Sequence, residues 1–210
     1  ADSIGSAAVG GNLPTGSITW RFYADLQTGY KLQAVYGVDA APTGAPSTIS
    51  SGDHELLLQT TTKFFNNEDR GATSPTYSKA NTSLNSVMLD SWFSVGAACA
   101  NFYGIEKASD NGVSNTVNSN GILANNAAAV GIPLTTQDGL IAGSPESVSF
   151  VGFTSPQLAL FDNLQQGSNG NALTTYNASW ASLNGSTGPN AANKVLFAQV
   201  TTNGVLTYNF

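Results

Sequence analysis

The chain has 210 residues, 41% of them apolar and only 10% charged. An average soluble domain is roughly 25% charged; here Asn, Ser, Thr and Gly fill the difference, giving a polar but mostly neutral surface. A net charge of −6 from 7 basic and 13 acidic side chains provides no basic stripe to neutralise phosphates, which excludes nucleic acid as an expected partner.

The chain begins Ala1-Asp2-Ser3-Ile4, without an initiator Met or a basic n-region. It reads as a mature N-terminus after removal of a signal peptide, so a secreted, extracellular or cell-surface location is expected. Residues 1–17 are small and Gly-rich, with Ile4 and Val9 as apolar anchors. They read as an extension preceding a single β domain over 18–210. From Ile18 the pattern is that of strands: Ile18, Trp20, Phe22 and Ala24 alternate with Thr19, Arg21 and Tyr23. After Leu26-Gln27-Thr28-Gly29 the alternation resumes at Tyr30–Tyr36, which predicts a β-hairpin.

Residues 38–53 carry two prolines and two glycines and predict a loop. Glu55–Thr62 turns apolar and then β-branched, favouring a strand, and 64–85 is irregular. Ser86–Val95 returns to strand character, with Val87, Leu89, Ser91, Phe93 and Val95 on one face. Residues 101–143 mix Asn-Gly turn signals with a short Ala run at 127–130 that suits a helical turn only. Strands are predicted again at Ser147–Phe153, Gln157–Phe161 and Leu173–Trp180. Lys194–Thr201, Asn203-Gly204 and Val205–Phe210 form the strongest hairpin signal in the chain. The expected fold is all-β: a jelly-roll-like β-sandwich of about eight to ten strands with long loops and little helix.

Few residues of the chain fall in patterns that carry chemistry. The lone histidine, His54, precludes a multi-His metal site, and no G-x-S-x-G accompanies it for a Ser–His–Asp triad. No phosphate-cradling Gly-rich motif is present. The acids stand nearly singly; the closest pairs, Asp53/Glu55 and Glu68/Asp69, read as solvated turn acids rather than as the paired carboxylates of a glycosidase. No enzymatic activity is therefore expected, and no cofactor. Calcium is the metal that would fit best, through the hard oxygens of Asn66, Glu68 and Asp69. No segment is apolar enough to insert in a membrane.

Among 3 tryptophans and 7 tyrosines, Trp20 and Trp92 read as core. Core placement is favoured for Trp180 as well, but in the stretch Asn177–Gly185 it is the best candidate platform for stacking on a sugar ring under the carbohydrate-binding alternative. Asn81, Asn177 and Asn184 head N-x-Ser/Thr triplets, and Ser3 stands in the Asp-Ser/Thr-aliphatic O-glycosylation pattern of some Bacteroidota. Cys99 is the single cysteine, so no intrachain disulfide forms. Its apolar run, 95–100, predicts a buried thiol.

Five segments carry a resemblance: Ile18–Asp25, Tyr30–Gly37, Glu55–Thr62, Leu89–Gly96 and Val195–Gly204. They resemble a recurring secreted β-domain found in large surface proteins of Bacteroidota that are exported with C-terminal sorting signals. The resemblance implies a β-fold and an extracellular location, and carries over no site.

Three functions compete. Surfaces buried by assembly are depleted in charge because desolvating charge is costly. The composition therefore favours a structural subunit of an extracellular filament or surface fibre, a homopolymer held non-covalently. β-Strand donation from residues 1–17 would supply Ile4 and Val9, and the C-terminal strand with Val205 and Phe210 would be the acceptor edge. The alternatives are a carbohydrate-binding or adhesive module with glycan partners, using Trp180, and a jelly-roll glycoside hydrolase using Glu55 or Glu68.

Overall fold

A computed structural model describes residues 2–3, 13–14, 16–39, 54–66, 71–83, 87–113, 137–161 and 170–210. Its central sheet is antiparallel and runs β1 (Asp2–Ser3), β2 (Ile18–Asp25), β12 (Lys194–Thr202), β5 (Trp92–Phe93). A second sheet orders β10 (Ala172–Thr175), β4 (Leu56–Thr60) and β13 (Leu206–Asn209). A third orders β3 (Leu32–Tyr36), β11 (Ser179–Ser186) and β9 (Ser149–Val151), and a fourth β6 (Ala97–Cys99), β7 (Phe102–Gly104) and β8 (Leu140–Ala142). The fold is all-β and sandwich-like, as the alternating pattern predicts.

Strand β12 organises the interior because it buries both of its faces. Leu196 enters one apolar cluster with Leu13, Trp92, Cys99 and Leu140. Val195, Ala198 and Val200 enter a second with Leu58, Phe93, Phe161 and Trp180. A strand alternates strictly, so Val195 and Ala198 share a face only because a bulge intervenes. Leu196 pairs with Tyr23 and Ala198 with Phe22, leaving Phe197 as the extra residue. The Phe197 carbonyl accepts both the Ser94 N–H (2.9 Å) and the Trp180 indole N–H (3.1 Å).

Both predicted hairpins are replaced by crossings between sheets. Residues 27–30 do turn, with Gly29 at φ 87 and Tyr30 N–H donating to the Gln27 carbonyl. Asn193 then inserts its amide, donating to the Gln27 (2.7 Å) and Tyr30 (3.1 Å) carbonyls. β2 pairs with β12 and β3 with β11. At the other end, neither Asn203 nor Gly204 has the positive φ that a two-residue type I′ turn requires. The chain steps instead from β12 to β13 on β4. Hydroxyl contacts hold this crossing, Thr60 to Thr202 at 2.7 Å and Thr62 to Thr202 at 3.0 Å. A Cβ on Gly204 would lie 2.4 Å from Thr60 Oγ1 and 2.8 Å from Thr62 N, so only glycine permits the approach.

Residues 87–96 depart from the predicted strand in another way. All are buried, the first three form a 3₁₀ turn, and only Trp92–Phe93 pair in a sheet. Side chains satisfy this irregular backbone, as burial demands. Gln199 donates to the Met88 (2.9 Å) and Asp90 (2.7 Å) carbonyls while its oxygen accepts from Arg21 Nε (2.8 Å). Ser91 Oγ donates to the Phe65 carbonyl and accepts the Thr201 N–H.

Two further strand expectations change. Residues 155–158 are a one-turn helix, α1 (Ser155–Leu158), started by Pro156 and by Gln157 Oε1 accepting the Thr154 N–H at 2.8 Å. The Leu173–Trp180 run is divided between β10 and β11, which lie in different sheets. The predicted helical turn at 127–130 lies outside the described residues.

Candidate assembly edge

Register fixes which side chains of β13 face the interior. Leu206 pairs with Thr60 and Tyr208 with Leu58, both buried positions of β4. By alternation Leu206, Tyr208 and Phe210 point into the sandwich, whereas Val205, Thr207 and Asn209 point out. Inward-facing rings are ordinarily covered, yet Tyr208 is 54% and Phe210 38% exposed. The cause is topological. β13 pairs only with β4, and among the described residues no strand takes its other side. The second apolar cluster therefore reaches solvent along this edge.

The rings there form a continuous seam. Phe22 of β2 lies 4.8 Å from Tyr208 and 5.1 Å from Phe210, edge to face. Phe210 also meets Phe197 (5.3 Å) and stacks beside Tyr208 (5.9 Å). No residue of β13 or of this seam is charged. Val205, 70% exposed, is anchored through its backbone: its carbonyl accepts the Thr61 N–H and its N–H donates to Thr61 Oγ1. The Asn209 amide fixes the far end by donating to the Glu55 carbonyl (2.9 Å).

The opposite rim of the seam is β2, whose outer edge, among the described residues, is paired only by Asp2 with Thr19 and Ser3 with Ile18. The N-terminal residues thus form a strand on their own chain's β2. Ile4 and Val9 lie outside the described residues. Tyr208, Phe22 and Phe197 belong to the edge although the sequence reading named only Val205 and Phe210. The alternation Leu206, Tyr208, Phe210 is the signal that identifies Tyr208.

The remaining nominated residues separate. Trp180 is fully buried, its ring stacked on Phe93 at 4.3 Å, so it is a core residue and not a sugar platform. Asn66 is buried and spends its amide on Ser91, donating to the carbonyl (2.9 Å) and accepting the N–H (3.2 Å). That clamp replaces its expected calcium role. Glu68, Asp69 and Asp53 lie outside the described residues, among which no group of three or more His, Cys, Asp or Glu could hold a metal ion. His54 is exposed and bridges to Val38, and Glu55 is half-buried beside it. Asn177 and Asn184 are exposed, the latter donating to Glu146 Oε2 (3.3 Å). Asn81 is half-buried in a 3₁₀ turn, Lys79–Ser83, and Ser3 lies in β1.

Cys99 is buried, and burial pushes its thiol up to about 12. Among the described residues no helix is long and apolar enough to cross a membrane. The chain matches no protein-family model, no curated protein and no solved structure.

Proposed function

We propose that this protein is a structural subunit of an extracellular filament or surface fibre, assembled by addition of a neighbouring copy's N-terminal segment to the open edge of β13. The observation that carries the reading is the pair of inward-facing rings, Tyr208 and Phe210, left exposed on a strand that among the described residues pairs on one side only. An incoming strand would satisfy the free backbone groups of β13 and cover those rings in one step. Taking about 200 Å² per aromatic residue, exposures of 54% and 38% leave roughly 180 Å² to cover. At about 25 cal/mol/Å² that contributes ~4–5 kcal/mol. Association alone costs an estimated ~4–15 kcal/mol, so the backbone ladder and apolar residues of the donor must add to it. In the proposed fibre the donor gives up the Asp2–Thr19 and Ser3–Ile18 pairing on its own β2 for the neighbour's β13, while Leu13 stays in its own core. Within residues 1–17 Asp2 is the only charge, and Ile4 and Val9 offer small apolar side chains. The neutral surface lowers the desolvation cost of every further contact.

Negative-stain microscopy tests the proposal on the whole chain, on residues 13–210, which keep the buried Leu13, and on Tyr208→Lys. Uniform fibres from the whole chain, absent from both variants while each remains folded by circular dichroism, are expected. Monodisperse monomers of the whole chain at all concentrations overturn the filament reading. Fibres surviving both changes overturn the assigned edge and donor.

A further inference from the structure

Away from the assembly edge, a lysine and an aspartate from distant parts of the chain meet in the interior. Lys79 opens the 3₁₀ turn that follows the Ser78–Ala100 bridge, and Asp138 stands one residue, Gly139, before β8. Lys79 Nζ lies 2.9 Å from Asp138 Oδ2, with side-chain exposures of 13% and 0%. Neither atom makes a hydrogen bond to any other group among the described residues. The surroundings are apolar: the Phe102 ring centroid is 5.0 Å from Nζ, and Cys99 and Leu140 are buried nearby. Asp138 Oδ1 is held separately, accepting the Leu140 N–H at 3.0 Å. Asp110 braces the same loop, accepting the Gly139 N–H at 3.0 Å and the Gly112 N–H at 2.8 Å.

We propose that Lys79 and Asp138 condense spontaneously into an isopeptide bond, an amide between Lys79 Nζ and Asp138 Cγ. A buried ion pair carries a large desolvation cost; the step starts with transfer of one proton from the Lys79 ammonium to the Asp138 carboxylate, giving amine and carboxylic acid. Burial raises the Asp138 carboxyl, against the opposing effect of Lys79, and the nearby Asp110 charge adds to the rise. The Nζ lone pair attacks Cγ, forming the C–N bond. Oδ1 takes the developing negative charge in its hydrogen bond to the Leu140 N–H, as an oxyanion hole would. The Cγ–Oδ2 bond then breaks, and Oδ2 leaves as water with its own proton and one from the amine. The amide nitrogen keeps one hydrogen, and no oxidant, cofactor or other reactant enters. The product removes two buried charges and ties the 3₁₀ turn to the start of β8. It does not depend on the filament reading.

Mass spectrometry of the intact, folded chain tests the inference directly. The expected mass lies about 18 Da, one water, below that of the sequence. Trypsin cannot cut after an acylated Lys79, so peptide 71–107 should appear branched onto peptide 108–194. Asp138→Asn should reach the same final mass by losing ammonia, and Lys79→Arg should show its full sequence mass. A full sequence mass for the unaltered chain overturns the proposal. So does a water loss confined to peptide 108–194 with normal cleavage at Lys79, because the Asp138-Gly139 step can cyclise on its own backbone.

Discussion

Replacing Gln199 by leucine isolates the polar network that supports the irregular segment behind β12. The side chain is fully buried and makes three contacts: Nε2 donates to the Met88 and Asp90 carbonyls, and Oε1 accepts from Arg21 Nε. Leucine fills nearly the same volume, so a cavity contributes little. Removing the acceptor from a part-buried guanidinium costs about 1.5–3 kcal/mol, and each buried carbonyl that loses its donor about 1 kcal/mol or more. The sum, about 3–5 kcal/mol, is a large part of the 5–15 kcal/mol typical of a folded domain. Urea denaturation followed by tryptophan fluorescence measures it as a fall in midpoint at constant slope. Gln199→Glu keeps the acceptor for Arg21 but sets a carboxylate oxygen against two carbonyls, so it should lose at least as much. A loss below about 1 kcal/mol for Gln199→Leu would refute the reasoning, since the backbone of 87–91 would then not need its clamp.

Gly204→Ala places a methyl against Thr60 Oγ1 and the Thr62 backbone. It should destabilise by about 1–3 kcal/mol in the same denaturation assay. Alkaline pH gives a second test through Cys99, whose thiol is raised from 9.0 to about 12 by burial. Between those values the unfolded chain has released the proton and the folded chain still holds it, so stability falls as pH rises from 9 toward 12, by at most about 1.4 kcal/mol per pH unit. Buried Tyr77 and Tyr23 are raised in the same sense and add to the fall. Cys99→Ala should flatten the profile above pH 9, and an unchanged profile would show that the thiol is not the group responsible.

Local patterns carried the strands and missed their partners. The alternation of Ile18–Ala24 places Phe22 and Tyr23 on opposite faces, where they pack against the second and first clusters respectively. Nothing within that run specifies pairing with residues 194–202. That choice depends on Asn193 occupying the turn at 27–30, an interaction 166 positions away in sequence. The same limit explains the 87–96 segment, whose alternating pattern is genuine but whose 88–91 backbone is held in part by the side chains of Gln199 and Asn66. Trp180 illustrates the converse. Asn and Gly neighbours left a surface role open beside the favoured core placement, and the core placement holds because its indole N–H is satisfied by a carbonyl exposed at the Phe197 bulge. Tyr208 was legible from the last strand alone. Its exposure was not, because exposure depends on the absence of a neighbour.

The placement of β12 also bears on when this fold can form. Arg21 and Gln199 are 178 positions apart, and β2 has no central partner until residues 194–202 have been synthesised. Two-state proteins dominated by such distant pairings fold in milliseconds to seconds rather than microseconds. Until the C-terminal strand is available, the N-terminal strands lack the partner that completes their sheet, so the domain closes only after nearly the whole chain has been made.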